Sequence, residues 1–233
     1  TGTLIIDGLT VPRLDLATPI YFGERGVSGD DPVEATHHLV IRAAGAIFDP
    51  TPTAVLWPTL VIDNAWATTS QVTTGSFSLS NGAVLFSEAT TVSSEARLHI
   101  VADDITVGSG CRIDAEARGY LPGRTHGNVV MPGTGGSWGG SHGGYASTGD
   151  LPTNEVYGNF AVPTTLGSGS GSYSSPPRPG GGAIHIQTGS LSLVGTITAD
   201  GGSGAQGGAG GSVWIEAGSI EGTGIVRAVG GNG

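Results

Sequence analysis

Apolar residues in this chain come in short runs, several of them alternating with polar residues, and each run stops at a turn. Leu39-Val40-Ile41-Arg42, Leu60-Val61-Ile62-Asp63, Phe77-Ser78-Leu79-Ser80 and Leu98-His99-Ile100-Val101 are such runs, with starts 21, 17 and 21 residues apart. A period of two puts successive side chains on opposite faces of a strand. No window holds an apolar period of 3.6, because Gly, Pro, Thr and Ser interrupt each one, so helices are not expected. Sandwich strands recur about every 8–12 residues, whereas marks about 20 apart, with shorter strands between them, suit the coils of a β-solenoid.

The C-terminal third repeats itself. Residues 182–204 and 211–233 align without a gap at a shift of 29: Ile184 meets Val213, Ile186 meets Ile215, Leu191 meets Ile220, and Ile197 meets Val226. Glycines keep phase as well, Gly201 and Gly202 matching Gly230 and Gly231. Residues 97–119 form a third copy once two residues are inserted near Ser109. If the copies are neighbouring coils, His99, His185 and Trp214 line up on one outward face, and Asp114, Thr198 and Arg227 on another. One copy cannot bury its apolar face alone, so stacking completes the core. The expected fold is a single all-β domain, a parallel β-helix (β-solenoid) of right-handed sense. Residues 1–119 supply N-terminal coils, 120–181 a long Gly-rich excursion, and 182–233 two coils of period 29. Gly201, Gly202, Gly230 and Gly231 are expected to be structural, at corners needing positive φ or close backbone approach.

Composition narrows the functions. The chain has 43 Gly and 13 Pro among 233 residues, yet it keeps 37% hydrophobic residues in β-branched runs, which flexible Gly-rich linkers lack. Its net charge is −10, and all nine basic residues are Arg, with no cluster. That balance argues against nucleic acid as partner. No apolar stretch is long enough for a transmembrane helix. A single Cys111 forms no intrachain disulfide and reads as a small buried apolar side chain.

The succession GGSHGGY, Tyr157-Gly158, VPTTLGSG, GGGAIHIQTGSLSLVGTITADGGSG and GGSVWIEAGSIEGTGIVRAVGGNG resembles a Gly-rich repeat module of very large bacterial secreted and cell-surface proteins. The resemblance covers about Leu98 to Gly233. It implies a parallel β-helix-like fold, an extracellular or cell-surface location, and a structural or adhesive role. It carries over no catalytic residue, although His142 sits in its GGSHGG motif.

Candidate chemistry is sparse. Asp103, Asp104, Asp114 and Glu116 are candidates for a Ca²⁺ site, or for the acids of a polysaccharide lyase or glycoside hydrolase, whose paired carboxyls flank the scissile bond. No HExxH, Cys/His metal spacing, GxSxG elbow or phosphate loop occurs. His142 is expected to hydrogen-bond the loop backbone. The excursion's aromatics, Trp138, Tyr145, Tyr157 and Tyr173, are candidate binding residues for a carbohydrate or protein, or pins that hold the loop to the solenoid wall. The expectation is therefore a non-enzymatic structural or adhesive protein without a cofactor. Its partners would be further copies stacked head to tail into a surface filament, because Gly233 falls in mid-repeat without a cap, or a surface polysaccharide or protein. The alternatives are a carbohydrate-binding module and a β-helix enzyme.

Overall fold

The computed structural model describes residues 2–7, 14–15, 37–42, 48–49, 57–64, 66–131, 139–146, 155–171 and 178–232. Up to residue 58 only the backbone of the strands is described. The described chain is all-β. It opens with β1 (Gly2–Asp7), β2 (Leu14–Asp15), β3 (His37–Arg42), β4 (Phe48–Asp49), β5 (Trp57–Asp63), β6 (Trp66–Thr69), β7 (Gln71–Ser80) and β8 (Val84–Ser87). It continues with β9 (Leu98–Val107), β10 (Arg112–Asp114), β11 (Arg124–Thr125), β12 (Val129–Val130), β13 (Ala183–Leu193), β14 (Thr196–Thr198), β15 (Ser212–Glu221) and β16 (Ile225–Arg227). A single 3₁₀ turn, His126–Asn128, is the helical element among them. No helix of the described residues is long and apolar enough to cross a membrane.

From β5 onward the chain visits two sheets in turn. One has seven parallel strands in the order β1-β3-β5-β7-β9-β13-β15, the other five in the order β16-β14-β10-β8-β6. The 29-residue repeat is reproduced as register: Ile184 pairs with Val213, Leu191 with Ile220 and Ile197 with Val226. The third copy aligns as well, with Leu98 opposite Ile184 and Ile113 opposite Ile197, so the two-residue insertion falls in the turn between β9 and β10. Both sets of expected partners align, although Asp114 and Thr198 are buried rather than outward. His99, His185 and Trp214 stack ring on ring at 4.7 and 4.1 Å, and Asp114, Thr198 and Arg227 are cross-strand partners.

One alignment differs. Phe77 faces Ile105 rather than Leu98, whose neighbour His99 pairs with Gln71. The long strands hold two apolar stretches separated by a slip in alternation. In β9, Leu98, Ile100 and Ala102 point inward, Asp103 and Asp104 both point outward, and Ile105 and Val107 return inward. The runs beginning at 77 and 98 thus occupy different halves of such strands. At the slip Gly189 lies so near that an added Cβ would sit 2.8 Å from the Asp103 carbonyl oxygen.

Between the sheets lies one apolar cluster, which includes Leu60, Phe77, Leu79, Leu85, Ile100, Ile105, Ile113, Ile186, Leu191 and Ile197. Cys111 is buried there as a free thiol.

Gly-rich segments build a further layer, and it corrects the expected role of the repeat glycines. Gly201, Gly202, Gly230 and Gly231 are not among the positive-φ residues, which include Gly82, Gly110 and Gly222. Gly201 and Gly231 touch neighbouring backbone, Gly202 packs on Arg178 and Pro179, and Gly230 has open space beside it. A Cβ on Gly201 would lie 2.0 Å from the Gly208 oxygen, and one on Gly231 would lie 2.1 Å from the Gly202 oxygen. Segment 207–211 hydrogen-bonds in several directions. Gly208 N–H donates to Gly202, Ala209 N–H to Ser168 and Gly211 N–H to Ala199, while Gly207 O accepts from Gly140 and Gly208 O from Gly231. Such packing in several directions leaves room for no side chain at Gly208 and Gly211, where an added Cβ would lie 2.0 and 1.8 Å from a carbonyl oxygen.

The excursion is woven into this layer. Segment 178–182 already belongs to the repeat: Gly182 N–H donates to Ala115 O as Gly211 N–H donates to Ala199 O. The returning coil therefore begins near Arg178, ahead of the boundary expected at 182.

Candidate functional site

The excursion and the last coil enclose an open groove of about 810 Å³. One wall is made of residues 139–146 and 156–165, the other of residues 206–213 and 228–231. No Asp, Glu, Lys or Arg is among its lining residues.

A polar-aromatic cluster holds the outer wall. Tyr157 O–H donates to Leu166 O at 2.7 Å and lies 2.9 Å from Ser168 Oγ, which in turn lies 2.8 Å from Thr125 Oγ1. The rings of His126 and His142 pack against Tyr157 at 5.0 and 4.8 Å, with Tyr120 edge-on at 6.5 Å. Tyr120 is fully buried and donates to Glu95 at 2.8 Å. Burial and then the Glu95 carboxylate push its phenol up to about 12, and burial raises that of Tyr157 as well.

His142 is the hinge of this wall. Its Nδ1 lies 2.8 Å from the Gly210 carbonyl and its Nε2 lies 2.7 Å from Thr165 Oγ1. A carbonyl only accepts, so Nδ1 carries the proton and Nε2 accepts from Thr165. Burial holds the imidazole pKa below the ordinary histidine value. The expected backbone hydrogen bond is present, and it ties the excursion to the last coil.

The aromatic candidates separate. Tyr145 is 74% exposed on the groove rim, joined there by the fully exposed Phe160. Tyr157 is half-buried and pins the loop, so it is not a free binding platform. Trp138 and Tyr173 lie outside the described residues.

The four acids do not gather. Asp103 and Asp104 are exposed on β9, in the seven-stranded sheet, and Asp104 accepts from Ser190 O–H. Asp114 is buried in the five-stranded sheet, where one oxygen accepts Glu116 N–H at 2.7 Å and the other pairs with Arg112 Nε at 2.9 Å. Asp200 does likewise in the next coil, taking Val229 N–H and Arg227. These bonds account for both buried carboxylates as turn-forming groups. Among the described residues no group of three or more His, Cys, Asp or Glu side chains is placed to hold a metal ion, so the expected Ca²⁺ candidates form no site.

Sequence reasoning missed the Tyr120–Glu95 pair and the wall residues Thr165 and Ser168, which stand far apart in the chain with no shared spacing. No protein-family model, no curated protein and no solved structure matches the chain.

Proposed function

We propose that the chain is a right-handed β-solenoid serving as a structural, non-enzymatic module of an extracellular surface protein or filament, extended by coil-on-coil stacking. Alternation between two parallel sheets from β5 to β16, interrupted only by the antiparallel pair β11–β12, supports the solenoid reading, and the general preference of parallel crossovers supports the hand. The resemblance to Gly-rich surface modules supports the location.

The observation that carries the proposal is the state of the last coil. The core rows Ile105–Leu191–Ile220 and Ile113–Ile197–Val226 run in register to its edge, where Ile220 is 60% and Val226 46% exposed. Their counterparts one coil earlier, Leu191 and Ile197, are fully buried. Open apolar rows together with an unpaired strand edge are the features that another coil covers. Head-to-tail addition of copies generates an open filament.

Negative-stain electron microscopy and sedimentation over a concentration series test this. Fibres that lengthen with concentration are expected; a monodisperse monomer throughout removes the stacking claim.

A second reading rests on Tyr145 and Phe160, exposed beside an uncharged groove. Such rims suit the apolar faces of a neutral glycan. Saturable binding of a polysaccharide, lost in Phe160→Ala and without chain shortening, would favour a carbohydrate-binding module. Cleavage of the polysaccharide would return attention to Asp103, Asp104, Asp114 and Glu116.

A further inference from the structure

The Gly-rich layer repeats with the same 29-residue step as the strands. The bond from Gly202 N–H to Pro179 O, 2.9 Å long, recurs one step on as Gly231 N–H to Gly208 O at 2.8 Å. Gly208 N–H donates to Gly202 O and Gly211 N–H to Ala199 O, so the next coil would present N–H groups to Gly231 O and Ala228 O. Gly181 N–H donates to Ala209 O, so Gly210 N–H would donate to a carbonyl of that coil.

Among the described residues, Gly210 N–H, Ala228 O and Gly231 O have no hydrogen-bond partner. All three residues line the groove. Two acceptors and one donor are thus arranged along the groove in the pattern that an extended backbone satisfies one step earlier.

From this continuity we propose that the groove binds an extended glycine-rich polypeptide strand, the counterpart of Gly207–Gly211 in a further coil. The strand's N–H groups donate to Gly231 O and Ala228 O, and one of its carbonyls accepts Gly210 N–H. Its residue types follow from contact distances. A Cβ on Gly208 would lie 2.0 Å from the Pro179 oxygen, and one on Gly211 1.8 Å from the Gly182 oxygen. The bound strand meets Gly208 and Gly211 in the same way, so it has glycine at those two positions. The position of Ala209 carries a methyl in this chain and tolerates one in the ligand.

This inference deepens the stacking proposal, and the test separates the two. The probe is a synthetic peptide with the sequence of residues 202–213, Gly-Ser-Gly-Ala-Gln-Gly-Gly-Ala-Gly-Gly-Ser-Val, titrated into ¹⁵N-labelled chain. The Gly210 amide resonance is expected to shift saturably and its hydrogen exchange to slow. A peptide with alanine in place of Gly208 and Gly211 is expected to bind at least about tenfold more weakly, since each methyl would enter backbone.

The blocking variant is Gly230→Phe. An added Cβ there has only the Gly208 oxygen within 4 Å, at 3.8 Å, so the fold accepts the ring and the groove does not. Unchanged circular dichroism with lost peptide binding is expected. An unmoved Gly210 amide, equal affinity for the alanine peptide, or full binding by Gly230→Phe would each overturn the proposal. A neutral oligosaccharide that moves these amides while the peptide does not would overturn it too, and assign the groove to a glycan. Peptide binding by a chain that stays monomeric keeps this inference and removes filament assembly; fibres with an insensitive Gly210 do the reverse.

Discussion

At the scale of the residue, glycine does two different jobs here, and composition does not distinguish them. Gly82, Gly110 and Gly222 take positive φ at turns, whereas Gly181, Gly208 and Gly211 are needed because a neighbouring carbonyl occupies the place of a Cβ. Gly211→Ala is therefore expected to cost about 3 kcal/mol in chemical denaturation, the upper end of overpacking penalties. Gly143→Ala, where nothing lies within 4 Å, is expected to stay within about 0.5 kcal/mol of the parent. His142 supplies a pH dependence whose sign follows from burial. The unfolded chain takes up a proton in the ordinary histidine range, while the folded chain resists it to lower pH. This contribution is present above that range and lost as pH falls through it toward the depressed folded value. The melting temperature should fall between about pH 7.5 and pH 5, and the fall should be shallower in His142→Gln.

At the scale of the element, the alternating runs marked β3, β5, β7 and β9, and the repeat marked β10 and β13–β16, because a period of two is a local signal. The strand lengths were not legible. In β7, β9 and β13 the alternation slips by one partway along, which makes one ten- or eleven-residue strand look like two short ones. Only cross-strand register shows that Phe77 belongs with Ile105. Inward positions on either side of the slip feed the same core, so Ile186→Ala should cost about 3 kcal/mol by leaving a cavity. Ile225→Ala, at a 57% exposed site, should be nearly neutral by the same denaturation measurement.

At the scale of the whole molecule, the outermost described strands, β15 and β16, leave Ile220 and Val226 exposed. Replacing Ile220 and Val226 together by lysine puts two charges where another coil would bury them. Both sites are already partly exposed in the single chain. The expected result is loss of fibres in electron micrographs with a nearly unchanged melting temperature. Fibres that persist in this variant would show that assembly uses another surface.

The sequence by itself determined the all-β class, the 29-residue step and the cross-strand partners in both ladders, because a repeated segment writes its register directly into its spacing. A backbone contact at His142 was expected, but its partner, Gly210, lies outside the excursion and came only from the tertiary structure. Tertiary structure alone decided what lies side by side without sharing a period. It made Tyr157 a half-buried pin, set Asp103 and Asp114 in different sheets, and drew excursion glycines into the lattice beside Gly207–Gly211. It also left Gly210, Ala228 and Gly231 facing an open groove. The physical reason is that backbone-to-backbone packing depends on which segments meet in space, and glycine at many positions permits more such meetings than a linear pattern can record.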